Sequence, residues 1–102
     1  MVLAEAGVPQ QHDHLRIALV DDDPLFRETL TENLKDANFA VEAFEGGEAF
    51  FEWLGKGGQA DLVLLDWRMP EVNGIEVLRR LRDDGSEVPV IFLTALSEQI
   101  YA

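Results

Sequence analysis

The stretch RIALVDDDPLF, residues 16–26, sets three aspartates directly after a short apolar run. RIALV (Arg16 to Val20) is continuous rather than alternating, as a strand buried on both faces would be. Asp23 can then cap a helix, and Pro24 suits its first position, where a missing N–H costs nothing. Adjacent carboxylates repel one another, in a chain whose formal net charge is already −12. Taken alone, Asp21, Asp22 and Asp23 read equally as a solvated turn with a helix cap or as a site built around a cation.

Beyond that junction the apolar pattern switches between two periods. Phe26, Leu30, Leu34 and Ala37 recur at helical spacing, which leaves Arg27, Glu28, Thr31, Glu32 and Lys35 for other faces. FAVEAF (Phe39 to Phe44) alternates, like a strand nearer a sheet edge. Gly46 and Gly47 precede EAFFEWL, where Phe50, Trp53 and Leu54 share a stripe, and GKGG (Gly55 to Gly58) ends that helix. DLVLLD (Asp61 to Asp66) reads as a second buried strand, closed by another carboxylate. The loop WRMPEVN leads to Gly74 and a helix, IEVLRRLRDD, with Ile75, Leu78 and Leu81 turned inward. VPVIFLTA (Val88 to Ala95) is a third buried strand with Pro89 near its start, and LSEQIYA opens a further helix. The order β-α-β-α-β-α-β with short connections predicts an α/β fold, a doubly wound parallel sheet with helices on both faces.

At 102 residues and 47% hydrophobic content, the chain holds one small domain. Residues 1–15 read as a flexible leader, without the basic start and apolar segment of a signal peptide, and its His12 and His14 as solvated. Absence of cysteine excludes disulfides and thiolate metal sites and fits a reducing cytoplasm. No apolar run is long enough to span a membrane. Twenty acidic against eight basic residues argue against a direct grip on nucleic acid.

In a doubly wound sheet, ligands bind beyond the carboxyl ends of the strands. There the first strand ends in Asp21 and Asp22, the strand at 61–66 ends in Asp66, and the last ends in Thr94. Three carboxylates gathered without a counter-charge would be driven toward protonation. A hard cation held by oxygen ligands alone points to Mg²⁺. Asp66 is also a candidate nucleophile toward a phosphoryl group, and phosphoryl transfer needs mainly positioning and charge neutralisation. Pro70 and Gly74 shape the loop after Asp66, Phe50, Phe51 and Trp53 belong to the core or its flank, and RRLR (Arg79 to Arg82) to a wet helix face.

The segments LVDDDP, LVLLDWRMPEVNG and VPVIFLTA together resemble the receiver domain of two-component response regulators, over Arg16 to about Tyr101. The resemblance implies a flavodoxin-like sheet of order 2-1-3-4-5 and a signalling role rather than an enzymatic one, often coupled to transcription. It makes Asp66 the phosphoacceptor, served by a partner sensor histidine kinase. Asp22 would be the direct Mg²⁺ ligand, Asp21 would act mostly through a metal-bound water, and the backbone carbonyl of Arg68 would be another ligand. Thr94 would be the switch hydroxyl that follows the phosphoryl group, with Trp67 and Ala95 lining the pocket.

The family pattern continues with a helix, a fifth strand carrying a phosphate-binding lysine, and a final helix. None of these is found in the 102 residues, whose lysines are Lys35 and Lys56. The chain therefore reads as a receiver, 16–102, truncated after the fourth strand and without an effector domain. Two functions stand: a phosphoacceptor switch, or an interaction and assembly module that keeps only the metal site. The last strand, left as an apolar edge, predicts self-association.

Overall fold

The computed structural model describes residues 15–69 and 73–93. Within them β1 (Arg16–Val20), α1 (Pro24–Asp36), β2 (Ala40–Phe44), α2 (Gly47–Gly55), β3 (Leu62–Asp66), α3 (Gly74–Asp83) and β4 (Val90–Leu93) alternate without interruption. All three strand pairings are parallel, and the order across the sheet is β2-β1-β3-β4. The expected doubly wound sheet is present. β1 matches RIALV, while β2 and β3 each start one residue later than their expected runs and β4 starts after Pro89. The leader, the end of the last strand and LSEQIYA lie outside the described residues.

β1 sits between two partners, and Ile17, Ala18, Leu19 and Val20 are all buried. That explains its unbroken apolar run: one face of the strand meets one helical layer and the other face the opposite layer. Ala18, Val20, Val63 and Leu65 form the floor of a core closed by Phe50 of α2 and by Val77 and Leu81 of α3. Phe44, Phe50 and Trp53 pack ring to ring at 5.0–6.2 Å. Among the described residues no helix is long and apolar enough to cross a membrane.

Asp23 caps α1 as its sequence suggests: its Oδ1 accepts from the N–H groups of Leu25 at 3.0 Å and Phe26 at 3.3 Å. A second cap was not anticipated. Asn73 starts α3 by accepting from Glu76 N–H at 2.9 Å.

Two helices are rotated from their expected phase. On α1 the half-buried stripe is Arg27, Leu30, Thr31 and Leu34, while Phe26 is 43% exposed and Ala37 is exposed. Positions 27, 30, 31 and 34 lie within one narrow arc of a 3.6-residue helix, and Phe26 falls at its fringe. On α3 the buried positions are Gly74, Val77 and Leu81, and Ile75, expected inward, is 39% exposed. On α3 the close approach of Gly74 to Asp66 O fixes the rotation and leaves Ile75 outside, and on α1 Leu25 and Phe26 are left outside. The basic run on α3 is also not uniformly wet. Arg79 pairs with Glu76 at 3.1 Å, but the Arg80 guanidinium lies 4.0 Å over the Phe51 ring.

Candidate metal centre

β1 and β3 are adjacent and in register, Val20 opposite Leu65. The residues that follow, Asp21 and Asp66, are therefore neighbours at the carboxyl rim. This is also where the chain reverses its winding, since β1 leads outward to β2 and β3 outward to β4. One oxygen from each of Asp21, Asp22 and Asp66 lies within 4.8 Å of the others. The three carboxylates singled out from sequence are thus brought together.

Their surroundings differ. Asp21 is 4% exposed, the one buried charged residue among those described. Its N–H donates to Phe44 O at 3.0 Å, which carries the β1–β2 ladder one step past the strand. Its Oδ1 accepts from Asp23 N–H at 2.8 Å. Burial pushes the Asp21 carboxyl above the ordinary range, and Asp22 and Asp23 add to the rise, while the Asp23 N–H and Arg27 oppose it. Asp22 is exposed, on the open side of the cluster. Asp66 is half-buried, and its Oδ1 accepts from Arg68 N–H at 3.2 Å. Burial first, then the charges of Asp21 and Asp22 and a hydrogen bond with Asp22, push the Asp66 carboxyl from 3.8 up to about 6.

The strand end that carries Asp66 is held from the other side by α3. Gly74 N–H donates to Trp67 O at 3.1 Å. A Cβ on Gly74 would stand 2.8 Å from Asp66 O and 2.9 Å from a Phe92 ring carbon, so only glycine allows this approach. Trp67, 42% exposed, meets Phe92 edge-on at 5.1 Å beside the rim. Trp67 N–H donates to Leu93 O at 3.0 Å, which ties the loop to β4. Thr94 and Ala95 lie outside the described residues, as does Pro70.

The donor set is three carboxylates with no nitrogen or sulfur ligand. An octahedral ion with bonds of about 2.1 Å holds opposite ligands about 4.2 Å apart. The spacing of Asp21, Asp22 and Asp66 fits such an ion after small side-chain adjustment, and the upward push on the Asp21 and Asp66 carboxyls is what a cation would reverse.

Sequence reading missed one charged group at this rim. Arg27 was assigned to an outer face of its helix, yet its Nη1 donates to Asp21 O at 2.7 Å. Its place one turn after the Asp23 cap, on the sheet side of α1, is the only signal that could have found it.

Comparison with known proteins bears on the same residues. The family model for the response regulator receiver domain matches residues 17–102. The transcriptional regulatory protein DltR of Streptococcus agalactiae is 37% identical over 84 residues, covering 82% of this chain and 37% of that protein. The probable transcriptional regulatory protein SilR of Salmonella typhimurium is 38% identical over 82 residues, 80% of this chain and 36% of that protein. The chain thus spans little more than a third of the length of these relatives. The response regulator TrrA of Thermotoga maritima, solved in complex with Mg²⁺-BeF, superposes with a TM-score of 0.73 at 37% identity, covering 79% of this chain and 70% of that one. With its strand order, its acidic rim and these matches in agreement, the chain belongs to the receiver domain family of two-component response regulators.

Proposed function

We propose that this chain is a phosphoacceptor switch in which Asp66 takes a phosphoryl group from the phosphohistidine of a sensor histidine kinase in the cytoplasm. The observation that carries the reading is the meeting of Asp21, Asp22 and Asp66 at the switch point of the sheet. An Asp66 oxygen attacks phosphorus as the P–N bond breaks, and the departing imidazole keeps the electron pair and takes up a proton. Asp22 and Asp66, with the Arg68 carbonyl, would hold Mg²⁺, and Asp21 would support it in an outer role. When bound, Mg²⁺ neutralises the carboxylates and the charge on the phosphoryl oxygens. Arg68 N–H on Asp66 Oδ1 orients the attacking carboxylate. Thr94 receives the phosphoryl oxygens, Trp67 and Ala95 line the mouth, and the signal passes to an effector, a transcriptional one by analogy with DltR and SilR.

A second reading rests on the lysines. Lys35 lies in the last turn of α1 and Lys56 just after α2, both at the end of the sheet opposite the carboxylates. A chain that binds Mg²⁺ but gains no phosphoryl group would act as an interaction and assembly module that keeps only the metal site.

Incubation with Mg²⁺ and acetyl phosphate, followed by intact mass measurement, separates the two. The switch reading expects one added phosphoryl group on the wild type and none on Asp66→Asn. Equal modification of Asp66→Asn removes the acceptor assignment. No modification of a wild type that binds Mg²⁺ supports the assembly module.

A further inference from the structure

Arg27 stands beside the Asp21 carboxylate and makes no ion pair with it. None of the ion pairs among the described residues involves it. Its Nη1 instead donates to the main-chain carbonyl of Asp21 at 2.7 Å, six residues back across the start of α1. This choice has a chemical consequence. A guanidinium forked onto Asp21, Asp22 or Asp66 would take the oxygens that a cation needs. Bound to the carbonyl, it takes none of their oxygens.

Both main-chain groups of Asp21 are thereby fixed: the N–H by Phe44 O of β2 and the C=O by Arg27 of α1. The carbonyl belongs to a residue only 4% exposed, where an unmet acceptor is costly. Asp21 Oδ1 in turn holds the Asp23 N–H at 2.8 Å, and Asp23 caps the helix that carries Arg27. The loop from Asp21 to Asp23 and the first two turns of α1 therefore form a closed circuit of hydrogen bonds, with Arg27 as its return link.

We propose that Arg27 is a positioning residue of the cation site, one that holds the β1–α1 loop so that Asp21 and Asp22 face Asp66 without capping any of their oxygens. This rests on the cation reading given under Proposed function. Arg27 does not touch the ion. It acts through the Asp21 carbonyl, in the manner of the outer groups that orient metal ligands and whose loss costs about 10–100-fold in affinity.

The test uses the full chain and MgCl₂ as the probe. By titration calorimetry, Arg27→Met keeps the apolar stem, removes the donor, and weakens Mg²⁺ binding about 10-fold. Arg27→Lys, which keeps a charge and a donor, binds Mg²⁺ more tightly than Arg27→Met. An unchanged dissociation constant with a lower melting temperature makes Arg27 merely structural and overturns the proposal. Tighter binding by Arg27→Met means that the guanidinium acts chiefly by repelling the ion, and also overturns it. Amide hydrogen exchange in metal-free protein supplies a readout independent of Mg²⁺. The Asp23 N–H exchanges at least about 10-fold faster in Arg27→Met, while core amides such as that of Leu19 change less. Equal Asp23 exchange in the two proteins sinks the positioning role. Faster exchange in a chain whose wild type binds no Mg²⁺ keeps that role and removes the cation reading instead.

Discussion

β1 and β3 run side by side, and their two ends handle charge in opposite ways. At the amino ends Arg16 meets Asp61. Arg16 N–H donates to Asp61 Oδ2 at 2.9 Å, its Nε to the same oxygen at 3.2 Å, and its Nη2 to Oδ1 at 3.2 Å. Gln59 Oε1 accepts from the remaining Nη1 at 3.0 Å. The Arg16 hydrogen bonds hold the Asp61 carboxyl below its usual range. At the carboxyl ends, about 16 Å away by strand length, three carboxylates meet and Asp66 is pushed up to about 6. One end is satisfied by its own side chains. The other is left short of positive charge, and a bound cation gains most there. The same two strands thus carry a charge-paired rim at one end and an acidic rim at the other.

The largest expected effect of that asymmetry is stabilisation by Mg²⁺. At a free concentration of 100 times its dissociation constant, a ligand bound only by the folded state adds about 2.7 kcal/mol. For a domain of this size that raises the melting temperature by roughly 10 °C or more. Calorimetric scans with MgCl₂ and with a chelator measure it. Asp22→Asn and Asp66→Asn should lose most of the shift, and Asp61→Ala should keep all of it. A shift that depends on Asp61 would break the comparison.

Next comes Gly74→Ala. The added Cβ meets Asp66 O at 2.8 Å and Phe92 at 2.9 Å, and the backbone oxygen cannot swing away. Overpacking of this kind costs about 1–3 kcal/mol. Because the displaced atom belongs to Asp66, Mg²⁺ affinity should fall together with the denaturation midpoint. A fall in stability alone would place the strain elsewhere in the core.

Asp66→Asn in metal-free protein should stabilise. A carboxyl whose pKa rises from 3.8 to about 6 on folding holds its proton more tightly in the folded chain than in the unfolded one. Its contribution is complete below about pH 4 and is lost as pH rises through about 6. At pH 7 the ionised group weighs against the fold, by about 1 kcal/mol once solvent at the half-open rim is allowed for. Wild type should therefore lose melting temperature between pH 4 and pH 7 relative to Asp66→Asn. Identical pH profiles for the two proteins would show that the cluster is not strained.

Most of this architecture is written in local pattern. RIALV and LVLLD announce central strands because both faces are covered, and Asp23-Pro24 announces a helix start through cap chemistry that acts within three residues. The meeting of Asp21, Asp22 and Asp66 followed from topology once the strands were placed, since parallel neighbours in register end together. What stayed hidden depends on contacts between elements. Arg27 and Phe26 are adjacent in sequence, and only the packing of α1 against β1 and β2 decides which of them turns toward the sheet. Ile75 and Val77 pose the same ambiguity on α3, and there the approach of Gly74 to Asp66 O decides it. Thr94 rests on its place at a strand end together with the family resemblance, and both Thr94 and Ala95 lie outside the described residues.

The smallest expected effect belongs to the paired end. Asp61→Ala removes a carboxylate that Arg16 grips through three donors, but the pair is open to water, with the two side chains 49% and 37% exposed. Exposed pairs contribute little net energy, because solvent already serves both charges. The main-chain link beside it, Asp61 N–H to Arg16 O at 2.8 Å, survives the substitution and keeps β3 aligned on β1. The melting temperature should fall by no more than about 2 °C at pH 7. In 1 M salt, where the Debye length is about 3 Å, the loss should shrink further. The pH trend should also be the reverse of that at Asp66. A carboxyl held below its usual range stabilises above about pH 4, and the effect disappears as pH falls through its folded value. Wild type and Asp61→Ala should therefore converge in acid, whereas wild type and Asp66→Asn should diverge toward neutrality. A loss at Asp61 as large as that from Gly74→Ala would mean that the amino rim clamps the sheet as firmly as the carboxyl rim, and that the division between the two ends is one of charge only.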